Sequence, residues 1–77
     1  MADVEARVDQ LAGWVLAWAR GRALDAELRV EIAERLETVR VCLRRRGRQA
    51  GTTFRVRGPA TEASVREALD ALDRRLG

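Results

Sequence analysis

Residues 24 to 46 read LDAELRVEIAERLETVRVCLRRR, a stretch of regularly recurring apolar residues that ends in three consecutive arginines. Six of the apolar residues follow one another at spacings of 4, 4, 4, 3 and 4: Leu24, Leu28, Ile32, Leu36, Val39 and Leu43. On an α-helix these positions fall within about one third of the circumference. The spacing therefore predicts a long amphipathic helix over about residues 24–46, which ends before Gly47.

A second, weaker apolar strip lies on the opposite side of this predicted helix. It comprises Ala26, Val30, Ala33 and Val41. Such a strip is consistent either with tolerated surface residues or with a seam for a second copy or another protein. The single cysteine, Cys42, cannot form an intrachain disulfide. Its angular position beside Leu24 and Leu28 predicts a buried thiol.

Two further helices are predicted on either side of this stretch. The first covers about residues 3–20, where Val4, Val8, Leu11, Val15 and Trp18 are spaced by 4, 3, 4 and 3. The last covers about residues 61–76, with Thr61 as N-cap and an apolar stripe of Val65, Leu69, Leu72 and Leu76. We therefore expect residues 1–77 to form one mainly α domain, in which a helix hairpin, an extended segment over about 48–58 and a third helix make a small three-helix core.

The segment after Gly47 differs from its neighbours because its pattern alternates. Residues 52–57 read TTFRVR, and this period of two would turn Phe54 and Val56 inward and the arginines outward. A single strand leaves its backbone unpaired, and no second good strand is evident in the sequence. Two alternatives follow: an extended segment laid over the helices, or a two-stranded ribbon formed by two copies of the chain.

Positive charge is concentrated in the middle of the chain. Residues 40–57 hold seven arginines and no acid, in a protein whose net charge is +3. Arginines in the last turn of a helix complement its dipole, which explains Arg44, Arg45 and Arg46 on the helical prediction. The dipole does not account for Arg48, Arg55 and Arg57, and these favour contact with a polyanion.

The residue types that are missing restrict the chemistry. The chain has no His and no Lys, and one Cys, so it lacks an ordinary general base near neutral pH and the ligands of a zinc site. We expect no enzymatic activity, no catalytic residue, no metal and no cofactor. The longest apolar run, residues 14–19, is far short of the roughly 20 residues that span a bilayer. With no signal-peptide pattern at the N-terminus, a cytoplasmic location is expected.

Two binding functions are compatible with these features, and a third possibility is a subunit whose only role is structural assembly. The favoured one is a non-enzymatic nucleic-acid-binding module that holds phosphates with Arg40, Arg44, Arg45, Arg46, Arg48, Arg55 and Arg57. The alternative is a small adaptor or inhibitor that docks on an acidic or nucleic-acid-binding surface of a partner protein. Its apolar contacts would come from Trp14, Leu16, Val30 and Val41. A homodimer is compatible with either, because a domain of this size gains stability from a partner.

Overall fold

The computed structural model describes residues 2–35 and 37–77. Within them the chain forms two helices and three strands, in the order α1 (Ala2–Arg22), β1 (Glu27–Ile32), β2 (Thr38–Arg45), β3 (Arg48–Arg55) and α2 (Glu62–Leu76). The strands make one antiparallel sheet in the order β1-β2-β3. Both helices pack on the same face of this sheet. The fold is α+β, so the predictions of a mainly α three-helix domain and of a helical bundle are wrong.

The predicted central helix is replaced by β1 and β2. A spacing of four residues is close to one helical turn, but it is also an even number, so it satisfies the alternation of a strand equally well. In the sheet, Leu28 lies opposite Leu43 and Val30 lies opposite Val41, which merges the two predicted helix strips into one apolar strand face. The β-branched residues in this stretch favour strands. Leu36, which contributed to the helical prediction, lies outside the described residues.

A two-residue turn joins β2 to β3. Arg45 and Arg48 are paired across the hairpin, and between them Arg46 and Gly47 have φ angles of 51° and 80°. Positive φ at both central residues is the mark of a type I′ turn, whose twist matches that of the flanking strands. The three consecutive arginines therefore lie at the end of β2 and in the turn of a hairpin. They are not in a helix, so the helix-dipole explanation does not apply to them.

The predicted alternating segment is a strand that pairs within its own chain. Phe54 and Val56 are buried, while Thr53, Arg55 and Arg57 are exposed, as the pattern indicates. The strand partner that the sequence did not reveal is β2, along its full length. Neither the extended segment over helices nor the ribbon between two copies is therefore formed by these residues.

The core lies between the sheet and the helix layer. Its fully or almost fully buried side chains come from one stripe of each helix and one face of the sheet: Val8, Leu11, Val15, Trp18, Val39, Val41, Leu43, Phe54, Val56, Val65, Leu69, Leu72 and Leu76. Arg7 on α1 donates to the carbonyl oxygens of Val56, Gly58 and Ala60 at 3.1, 3.3 and 2.5 Å. This contact fixes the connection to α2, which begins with Thr61 as N-cap in a capping box with Ser64. No helix in the described part of the chain combines the length and apolar character that crossing a bilayer requires.

Candidate nucleic-acid interface

One face of the sheet carries no helix in the described part of the chain, and we call it the open face. Because side chains alternate along a strand, the residues that do not point to the core point here. The open face is formed by Glu27, Arg29, Glu31, Thr38, Arg40, Cys42, Arg44, Gln49, Gly51, Thr53 and Arg55. It is therefore a polar surface backed by the core, and its side chains are held in register by the sheet.

The strand register sorts the charges on the open face. Glu27 lies opposite Arg44, and Glu31 lies opposite Arg40. Directly opposed charges of unlike sign stabilise a sheet by about 0.2–1 kcal/mol per pair. On the other side of β2 the same two arginines face uncharged residues of β3, Gln49 and Thr53. Positive charge therefore predominates on the β2–β3 half of the face, and the β1 half is nearly balanced.

The centre of the open face is shallow. Cys42 lies there opposite Gly51, which has no side chain, yet the cysteine is only 9% exposed. Arg40 reaches across, since its Nε lies 4.0 Å from the position that a Cβ on Gly51 would occupy. The depression above these residues has a volume of about 170 Å³. Pockets for drug-sized ligands usually measure 300–1,000 Å³, so this surface suits phosphate groups better than an enclosed small molecule.

Six of the seven arginines in the predicted cluster divide into three exposed groups. Arg40 and Arg44 lie on the open face, and Arg46 and Arg48 lie at the hairpin turn, which we call the hairpin tip. Arg55 and Arg57 lie at the opposite end of the sheet, which we call the distal end, where they line a depression of about 620 Å³ together with Arg35.

Arg45 belongs to none of these surfaces. Its Nε donates to the carbonyl oxygen of Asp25 at 3.0 Å, and its Nη2 donates to the carboxylate of Asp73 at 2.9 Å. The side chain is 20% exposed. Arg45 therefore links the hairpin to α2. The other six of the seven predicted arginines are exposed.

The four predicted protein-interface residues do not share one surface. Val41 is fully buried in the core, and Val30 is half-buried on the helix-facing side of β1. Trp14 is half-buried, with the guanidinium of Arg7 5.5 Å from its ring centroid. Leu16 is 45% exposed and borders a different depression, between α1 and β1. The apolar interface expected from the sequence is therefore not assembled from these residues.

Two arginines that the sequence analysis did not single out belong to the site. Arg29 lies on the open face in β1, with its Nη1 3.6 Å from Glu31 Oε1, and Arg35 lies at the distal end. A period of two over residues 27–32 would have placed Arg29 on the same strand face as Glu27 and Glu31. In the described residues no group of three or more His, Cys, Asp or Glu side chains is arranged to hold a metal ion.

No protein-family model matches the chain, and neither a curated protein nor a solved structure matches it.

Proposed function

We propose that this chain is a non-enzymatic module that binds the phosphates of duplex nucleic acid through the open face, the hairpin tip and the distal end. The observation that supports this most directly is the distribution of charge. Residues 27–57, which form the sheet and its turns, hold nine arginines and four glutamates. The remaining residues hold six arginines and eight acids, so the helical side repels a polyanion and the sheet side attracts it.

The dimensions of the basic surface suit a nucleic-acid backbone. On the open face, Arg55 lies at one end of β3 and Arg44 lies opposite Gln49, near the other end, and the six residue steps from 49 to 55 extend over about 20 Å. Duplex DNA carries one negative charge per roughly 1.7 Å of its axis, so arginines spread over this length meet several phosphates. A guanidinium donates through a planar fork and makes bidentate contacts with phosphate oxygens.

The placement of the aromatic residues favours duplex over single-stranded nucleic acid. The chain has two tryptophans and one phenylalanine. Trp18 and Phe54 are buried, and Trp14 lies on α1 beneath Arg7. Binding of single strands depends strongly on stacking bases on exposed aromatic rings, and none of the three rings lies on the open face. Phosphate contacts alone confer affinity without base preference, so we expect weak sequence discrimination.

The first test is a titration of labelled duplex and single-stranded oligonucleotides, followed by fluorescence anisotropy over a series of salt concentrations. We expect tighter binding to duplex. If about five phosphates are contacted, the logarithm of the association constant should fall with the logarithm of salt concentration at a slope of about −4 to −5. Absence of binding at low salt would contradict the proposal.

Matched variants separate the local surface from total charge. The triple variant Arg44→Gln, Arg46→Gln, Arg48→Gln removes three positive charges from the open face and the hairpin tip. Its control removes three exposed helix charges: Arg20→Gln, Arg66→Gln and Arg74→Gln. We expect the first to make the salt slope shallower by about 2–3 and the second to change it little. Equal effects would mean that net charge, and not this surface, governs binding.

A protein partner is the second candidate, because acids and arginines alternate on the β1 half of the open face. Glu27, Arg29 and Glu31 follow one another on that face, and such a pattern of charges is complementary to a defined arrangement on a folded surface. In this function the chain would be an adaptor or inhibitor that docks on an acidic or nucleic-acid-binding surface. The absence of enzymatic activity and a cytoplasmic location, both expected from the sequence, belong to either proposal.

A further inference from the structure

Strand β1 forms an edge of the sheet, and its outer side has no strand partner in the described part of the chain. The backbone N–H of Ala33 donates to the carbonyl oxygen of Thr38 at 3.0 Å, which fixes the alternation of hydrogen bonds along the β1–β2 ladder. Residues of odd number in β1 bond to β2, so the backbone groups of Leu28, Val30 and Ile32 point outward. Unpaired groups of this kind can template a strand from another molecule.

We propose that two copies of this chain associate through their β1 edges, antiparallel about a two-fold axis at Val30, to form a continuous six-stranded sheet. The inference does not depend on what the open face binds. It differs from the two-stranded ribbon considered for residues 52–57. In the fold, residues 52–55 pair with β2 of the same chain, and residues 56 and 57 follow the end of β3.

Charge selects this register from its neighbours. In an antiparallel pair, Leu28, Val30 and Ile32 of one copy must lie opposite the same set of outward-pointing residues in the second copy. Because all three numbers are even, the two-fold axis passes through a residue and not between two residues. An axis at Arg29 would oppose two arginines and would bring Glu27 opposite Glu31 of the second copy. An axis at Glu31 would oppose two glutamates. Only an axis at Val30 places Arg29 opposite Glu31 of the second copy, and symmetry makes this favourable pair twice.

The helix-facing side of the same register is apolar. Val30 meets its own symmetry mate, and Leu28 meets Ile32 of the second copy. Ile32 is 47% exposed, and it and Leu16, at 45%, are the exposed large hydrophobic residues of the described chain. Leu16 and Leu28 both border a depression of about 380 Å³ between α1 and β1. The pairing brings Ile32 of one copy to this depression of the other, so both exposed side chains are covered by one association.

The opposite edge of the sheet offers a contrast. The outward backbone groups of β3 belong to Gln49, Gly51, Thr53 and Arg55. No exposed large hydrophobic residue of the described chain accompanies that edge. Symmetric association therefore favours β1, where backbone, charge and apolar contacts agree.

Two single charge reversals provide the test. In Arg29→Glu, a glutamate opposes Glu31 of the second copy, and in Glu31→Arg, an arginine opposes Arg29. Each variant alone should dimerise about tenfold more weakly than the unchanged chain, because two like-charge pairs form per dimer. An equimolar mixture of the two variants restores both unlike pairs, so we expect it to form heterodimers with nearly the original affinity. Effects on folding of either variant cannot produce this recovery, since mixing leaves each chain unchanged.

The measurement is sedimentation velocity over a range of protein concentrations without nucleic acid, with native mass spectrometry to distinguish heterodimers from homodimers. Arg55→Glu, on the other edge, is the control and should leave the dimer intact. A folded chain that stays monomeric at every concentration would overturn the proposal. So would a dimer that is indifferent to the two reversals, or variants that fail to recover on mixing.

Discussion

Arg45 and Arg46 are neighbours in sequence but lie in different surroundings. Arg45 points to the helix side, where it contacts Asp73 and the carbonyl oxygen of Asp25. Asp73 also forms an ion pair with Arg22, whose Nη1 lies 3.5 Å from the carboxylate. Arg46 lies in the turn and is exposed. Arg48 lies opposite Arg45 on the same side of the sheet and is also exposed. The contacts with Asp25 and Asp73 therefore decide which of these arginines supports the fold and which are available for binding.

At this scale we predict different consequences for two alanine substitutions. Arg45→Ala removes a partly buried ion pair and a hydrogen bond to a carbonyl oxygen, and should lower the free energy of unfolding by about 1–2 kcal/mol. Arg48→Ala, at an exposed position across the hairpin, should change it by less than about 0.5 kcal/mol. Urea denaturation followed by circular dichroism measures both. Comparable losses of unfolding free energy in the two variants would show that the contacts of Arg45 do not stabilise the fold.

At the scale of elements, the two helices were accessible from sequence and the sheet was not. Helices α1 and α2 lie close to the predicted ranges, because each has a stripe that fits the helical period and acids in its first turn. The stretch over β1 and β2 fits both the helical period of about 3.6 and the strand period of two. On a helix, Val30 and Val41 lie opposite Leu28, whereas in the sheet all three share one face. A sheet also depends on partners distant in sequence, which local spacing does not identify.

The same limit applied to the candidate site. The clustering of arginines in the acid-free segment 40–57 was enough to single out seven of them, six of which are exposed. It could not separate Arg45 from the others, because that separation depends on strand parity and on the position of Asp73. Arg29 and Arg35 were missed for a related reason: they precede the acid-free segment 40–57 and alternate with glutamates in sequence, and the folded sheet brings them to the same surface as the cluster.

In the turn of the β2–β3 hairpin, Arg46 adopts a left-handed backbone conformation that is unfavourable for arginine. Arg46 has a φ of 51°, a region that costs most L-residues roughly 1–2 kcal/mol and that asparagine tolerates better. We predict that Arg46→Asn raises the free energy of unfolding by about 0.5–1 kcal/mol while weakening duplex binding. Denaturation and anisotropy on the same preparation check both effects. A variant that gained stability and kept full affinity would exclude Arg46 from the binding surface.

At the scale of the whole molecule, the two layers differ in charge. The sheet and its turns carry an excess of five positive charges, with nine arginines against four glutamates, whereas the other residues carry an excess of two negative ones. A polyanion approaching at random is thereby oriented toward the sheet before contact. The acids retained on β1 set the limit of the basic surface.

Glu27 distinguishes the two proposed partners. It lies opposite Arg44, so Glu27→Gln removes a repulsive charge and frees an arginine for phosphate. We predict about two- to fivefold tighter duplex binding, whereas a protein partner complementary to the alternating charges would bind less tightly. Anisotropy is the measurement, with Glu67→Gln on α2, also exposed, as the control. Weaker duplex binding by Glu27→Gln would count against the nucleic-acid proposal.

The two-residue hairpin turn also bears on the order in which the chain folds. Closing so short a loop loses little chain entropy, and hairpins form in about 1–10 μs. The helix layer, by contrast, joins residues far apart, as where Trp18 donates to Asp70 across 52 positions. We therefore expect Arg44 and Arg48 to reach their native spacing early, before the core closes beneath them. The surface to which we assign binding is then also the folding nucleus expected of this chain.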